Sequence, residues 1–185
     1  APETENPGSS DATESKYVSA ADFETKVKGR IWVFDDRKTV MSDGKVIDAT
    51  ILNYMVGDTR HIDAFCVGEE SASTFWHPTL GSAGWHYNSR TVYSYTYDEE
   101  TGHLDMNGGK WGNRLMTLLS VDEEKIVYAD HYGITPKDFD PELYNDHSAE
   151  VNDSDLDPDS YIQYTYRLAT AEEEAEYWKE YQENP

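Results

Sequence analysis

From Gly29 to Leu168 the hydrophobic positions fall mostly in short runs with a period of two, broken by Gly, Asp and Pro. That period is the signature of half-buried strands. The run Ile31–Asp35 is β-branched and aromatic. Asp43-Gly44 is a hairpin signal, and Lys45–Val56 follows it. Arg60–Val67 alternates, with Ile62, Ala64 and Cys66 opposite His61, Asp63 and Phe65. Ser73–His77 is a short run. Arg90–Tyr97 alternates cleanly, with Tyr93, Tyr95 and Tyr97 on one face and Val92, Ser94 and Thr96 on the other. Asp98–Gly102 turns the chain into His103–Met106. Arg114–Ser120 and Lys125–Tyr132 are joined by a tight turn at Val121–Glu124. The last strand, Tyr161–Leu168, places Ile162, Tyr164, Tyr166 and Leu168 on one face.

Two segments have helical character. Ser19–Lys28 opens on Ser19 as a cap with Asp22 three residues on, and Val18, Phe23 and Val27 supply apolar contacts. Thr170 opens a second helix with Glu173 completing a capping box, and Glu172–Glu174 suit the positive end of its dipole. Ala171, Ala175 and Trp178 form one stripe, so this helix is expected to dock by Trp178. Eight or nine strands in series, with no helices between them, exclude a parallel α/β sheet. Short neighbour-to-neighbour turns favour an antiparallel up-and-down β-barrel of about eight strands.

Composition adds an uneven charge. Of 37 acidic and 15 basic residues, acids crowd into 1–16 (net −3), 134–160 (net −8) and 170–185 (net −5), leaving a nearly balanced body. The division expected is a disordered acidic tether over 1–16 and one barrel domain over 17–185. That domain carries an acidic insertion at 134–160 and a C-terminal helix at 170–183. A net charge of −22 argues against nucleic-acid binding by counterion release. No apolar run reaches the length of a membrane span. The single Cys66 makes neither an intrachain disulfide nor a Cys-rich zinc site, and in its apolar strand it reads as a core thiol.

The short helix before Gly29-Arg-Ile-Trp32, the meander, the late aromatic strand Tyr161-Ile-Gln-Tyr-Thr-Tyr166 and the acidic tether together resemble the lipocalin-like domains of bacterial secreted lipoproteins. About residues 19–169 are covered. The lipocalin Gly-x-Trp is spaced here as Gly29-x-x-Trp32, and Gly109-Lys110-Trp111 falls mid-chain. The resemblance implies an eight-stranded, usually non-enzymatic barrel. It carries no binding residue over. The Pro/Ser/Thr/Glu-rich start of the chain fits an exported protein. A secreted, cell-surface or periplasmic location is expected, with a lipid anchor upstream of residue 1 and a monomeric state.

Candidate chemistry centres on aromatics. Tyr93, Tyr95, Tyr97, Tyr164 and Tyr166 are candidates to line a cavity, since tyrosine joins an apolar body to an orienting hydroxyl. Trp76, Trp85 and Trp111 fall in or beside Gly-rich segments, where they could stack on a glycan or another flat ligand; the competing role is to cover a barrel end. Asp153, Asp155, Asp157 and Asp159 alternate as Ca²⁺ ligands would, although an EF-hand read from Asp153 has Pro158 at its sixth position and Tyr164 at its twelfth. The competing role there is a solvated acidic loop. No His pair has helical zinc spacing, and no nucleophile-elbow, P-loop or dinucleotide motif occurs. The expected function is non-enzymatic binding of a small apolar or glycan-like ligand at an aromatic barrel mouth. The alternatives are a carboxylate-dependent hydrolase and a protein-interaction module using the acidic loop.

Overall fold

The computed structural model describes residues 15–48, 61–76, 89–138 and 152–183. Its body is a closed antiparallel barrel. The strands are β1 (Ile31–Val40), β2 (Val46–Asp48), β3 (Ala64–Val67), β4 (Ala72–Trp76), β5 (Ser89–Asp98), β6 (His103–Asn107), β7 (Arg114–Val121), β8 (Lys125–Asp130), β9 (Thr135–Pro136), β10 (Leu156–Asp157) and β11 (Tyr161–Leu168). From β3 to β8 each strand pairs with the next in sequence. β11 pairs with β8 on one edge and with β1 on the other, so eight strands complete a ring. The expected up-and-down closure is therefore present, and it leaves the ring without a free edge. β9 and β10 form a separate two-stranded ribbon in the acidic insertion.

β2 and β3 lie one after the other along the same edge of β1. β2 pairs with Lys38–Val40 and β3 with Ile31–Val33. The β1–β2 turn uses Gly44 at φ 85°, where a side chain would be strained, and the Asp43 carboxylate accepts from the Lys45 amide at 2.8 Å. The predicted strand Lys45–Val56 is seen only as Val46–Asp48, its remainder lying outside the described residues. β1 runs five residues further than its apolar segment implies, through a bulge between Phe34 and Asp36. The bulge changes which residues face inward. Trp32 and Phe34 point into the barrel before it. Beyond it Arg37 lies opposite Tyr164, and Thr39 opposite Ile162.

The interior is a packed core. Trp32, Phe65, Leu104, Met106, Met116, Leu118, Ile126, Ile162 and Tyr166 are fully enclosed. One end is closed by the N-terminal segment. There α1 (Ala20–Asp22), capped by Ser19 Oγ on the Asp22 amide at 3.1 Å, runs into a π-helical turn at Phe23–Val27. This turn aims Phe23 and Val27 into the barrel. Phe23 stacks on Tyr97 with centroids 4.1 Å apart, and Trp32 Nε1 donates to the Val27 carbonyl at 3.2 Å.

The C-terminal helix α2 (Ala171–Glu183) lies on the outer face of β1, β3 and β4. Its capping box is formed: Glu173 N donates to Thr170 Oγ1 at 3.2 Å, and Thr170 N donates to Glu173 Oε2 at 2.9 Å. Arg167 grips the same carboxylate with both terminal nitrogens, at 2.8 and 2.7 Å. The docking residue differs from the expected one. Tyr177 is buried against Ile31, Val33, Ala64, Cys66 and Phe75, while Trp178 is only partly covered and Ala171 and Ala175 are exposed. Ala64 and Cys66 thus face the helix, and Phe65 and Val67 face the lumen. Burial under α2 pushes the Cys66 thiol up to about 11, which keeps it protonated and unreactive.

Candidate functional site

The candidate tyrosines divide between the two ends of the barrel. Tyr95 and Tyr97 belong to the closed end. Tyr95 donates to the Gly68 carbonyl at 2.8 Å and Tyr97 to the Val18 carbonyl. Burial, reinforced by Glu99 and Asp98, raises the Tyr97 hydroxyl to about 12. These two rings seal the barrel. Tyr166 sits mid-barrel and donates to the Ile62 carbonyl at 2.6 Å, and Tyr128 reaches it from 3.5 Å. Tyr128 stacks on Tyr164 with centroids 5.1 Å apart. Tyr93, Tyr164 and Trp76 lie toward the opposite end, where the Gly-rich turn 108–113 joins β6 to β7.

That opposite end holds charged and polar side chains that the alternation places on the inner face. Arg114 is in phase with the enclosed Met116 and Leu118, and Asp130 is in phase with Ile126 and Tyr128. The two groups stand 4.0 Å apart with side-chain exposures of 24% and 23%, so both are largely withdrawn from water yet still reachable. Beside them His131 adopts φ 53°, a left-handed conformation that is costly for a residue with a Cβ. Its amide donates to Asp130 Oδ1 at 2.7 Å, and its Nδ1 lies 3.2 Å from the Tyr164 hydroxyl. Across the barrel the Tyr93 hydroxyl and Thr74 Oγ1 share a proton contact at 3.4 Å.

A cavity of about 600 Å³ opens beside the β1 bulge, lined by Phe34, Asp35, Asp36, Arg37, Lys38, Val46, Ile47 and His61. Phe34 and His61 stack in it with centroids 3.5 Å apart. Burial, with Arg37 adding to it, lowers His61 to about 4, so its ring is neutral at pH 7. The open cavity therefore presents a flat uncharged aromatic wall beside Arg37, with Asp35, Asp36 and Lys38 at its rim.

The other candidates lie apart. Trp111 is 76% exposed at the tip of the 108–113 turn, with Lys110 Nζ 5.3 Å from its ring centre. Trp85 is outside the described residues. In the acidic loop Asp153 and Asp155 belong to a short 3₁₀ turn, whereas Asp157 is buried on β10. The Asp157 carboxylate accepts from the Ser42 amide at 2.9 Å and the Asp159 amide at 3.1 Å. These backbone donors, the Ser42 amide foremost, hold its carboxyl below the usual range. Among the described residues no group of three or more His, Cys, Asp or Glu is placed to hold a metal ion. No described helix is long and apolar enough to cross a membrane.

Arg37, Arg114, Asp130 and His131 were not singled out from the sequence. The signal for Arg114 was present, because Arg114, Met116 and Leu118 alternate in one phase and put a cation on the core face. Arg37 carried no such signal, since its inward direction depends on the bulge. Comparison with protein-family models, with curated proteins and with solved structures finds no match. The class defined here is thus an eight-stranded closed antiparallel barrel with one plugged and one polar end.

Proposed function

We propose that this protein is a non-enzymatic binding protein of lipocalin-like type that takes a small, partly apolar ligand at the polar end of its barrel. One observation carries the reading: the cavity at the β1 bulge joins a stacked Phe34–His61 wall to the inward-turned Arg37, while the far end is filled. A ligand there buries an apolar body against Phe34 and Ile47 and orients itself on Arg37. The Pro/Ser/Thr/Glu-rich residues 1–15 support an exported, surface-tethered setting.

The test is a titration with uncharged phenylnaphthylamine, whose fluorescence rises in apolar surroundings. Saturable one-to-one binding that Phe34→Ala weakens at unchanged helix and strand content supports the reading. Absence of saturable binding to the folded chain, or indifference to Phe34→Ala, contradicts it.

A further inference from the structure

We infer that the polar end of the barrel recognises an oxyanion, so that the ligand is an amphiphile with an apolar body and one carboxylate or sulfonate-like head held by Arg114. The inference rests on the binding reading above and specifies its ligand class.

Arg114 is held in the lumen, not at the surface. The groups acting on it electrostatically are Tyr128 and Asp130 of β8, Tyr93 of β5 and Tyr166 of β11. β5 and β11 flank β7 on opposite sides, two strands away each. Arg114 also alternates in phase with the enclosed Met116 and Leu118, which puts its side chain on the inner face. A guanidinium has five donors and never loses its charge, so partial burial without partners is costly. Yet among the described residues the Arg114 side chain makes no hydrogen bond. Its one ion partner, Asp130, stands at the 4.0 Å limit of an ion pair, and that carboxylate already accepts from the His131 amide at 2.7 Å. Where Arg167 meets a carboxylate it intends to keep, both terminal nitrogens are engaged at 2.7–2.8 Å. The same residue type is therefore satisfied on the outside of this barrel and unsatisfied on the inside.

The surroundings suit an oxyanion. Guanidinium and carboxylate or sulfonate pair through two parallel bonds. The Tyr93 hydroxyl meets the Thr74 hydroxyl, a side chain that can rotate to release a donor. Gly109 adds a steric point: a Cβ there would overlap the Tyr93 ring, so the 108–113 turn rests directly on that ring. The left-handed His131 stands where the head group would lie, which is where backbone strain gathers in binding sites. The chain carries a net charge of −22, so an inward, underused arginine contributes nothing to its solubility.

The experiment compares two probes with the same ring system, uncharged phenylnaphthylamine and anionic anilinonaphthalene sulfonate, on the full chain. The sulfonate is expected to bind roughly tenfold more tightly. Arg114→Gln is expected to remove that preference, so that the sulfonate binds no more tightly than the neutral probe. Arg114→Lys keeps the charge and is expected to keep part of the preference. Asp130→Asn removes the competing carboxylate and is expected to tighten sulfonate binding severalfold. This fourth measurement decides the matter if Arg114→Gln does not fold. An undiminished preference in Arg114→Gln, or no gain in Asp130→Asn, overturns the inference while neutral binding leaves the binding reading standing. If neither probe binds the folded chain, both fall.

Discussion

The two ends of the barrel use the same residue types in different ways. At the closed end, Trp32, Tyr95 and Tyr97 each donate to a backbone carbonyl, at Val27, Gly68 and Val18. At the polar end, Tyr93 meets Thr74, Tyr164 meets His131 and Arg114 meets Asp130, side chain to side chain. A carbonyl is fixed by the fold, so a bond to it rigidifies. Two side chains can part and offer the same groups to a ligand. The difference separates a structural end from an adaptable one.

The largest effect expected from this contrast is at the closed end. Trp32→Ala removes a fully enclosed ring and its bond to Val27, and about 3–5 kcal/mol of stability should go with it in urea unfolding. Arg114→Gln, at the other end, should change stability by less than about 1 kcal/mol, since its ion pair is long and partly exposed. Equal losses at the two positions would erase the distinction.

Tyr177→Ala comes next. It empties the contact between α2 and Phe75, Ile31 and Cys66, and about 3 kcal/mol should be lost. Probe binding at the polar end should survive, because this contact lies outside the barrel wall.

Two effects of pH are smaller and act in separate windows. His61 is held neutral, with its folded value lowered to about 4 from an ordinary 6.5. Between these values the unfolded chain takes up the proton and the folded chain resists it. Stability should therefore fall as pH drops from 6.5 toward 4, and His61→Gln should flatten that slope. Glu173 is lowered to about 2, chiefly by Arg167. Its contribution is present above about 4.5 and lost as pH falls toward 2, and Glu173→Gln should remove it. The effect is expected to stay within about 1 kcal/mol, because Arg167 is more than a third exposed.

The smallest effect sharpens the polar end alone. Gly109→Ala crowds the Tyr93 ring and the Gly112 carbonyl, and should weaken probe binding a few-fold and lower the melting temperature by a few degrees.

Much of the barrel was legible in the sequence because period-two alternation and turn residues are local. Tyr93, Tyr95 and Tyr97 point inward as their alternation requires, and Tyr161–Leu168 matches β11 residue for residue. What escaped depended on distant partners. The bulge at Asp35 is set by pairing with β11, and it alone turns Arg37 inward. Alternation in Arg60–Val67 could not say which face meets the lumen, since α2 buries the outer one as well. The helical stripe pointed to Trp178, but Phe75 and Ile31 receive Tyr177. The tyrosines were readable as one set, whereas the fold assigns Tyr95 and Tyr97 to sealing and leaves Tyr93 and Tyr164 toward the polar end.

The most direct test of the contrast between the ends is a titration of the isotope-labelled chain with phenylnaphthylamine, followed by backbone amide shifts. Saturable shifts confined to residues 34–39, 89–93, 114–116, 128–131 and 161–164, with residues 18–28 and 97–104 unmoved, are the predicted result. Shifts centred on 18–28 and 97–104, or spread over the outer face beneath α2, would contradict it.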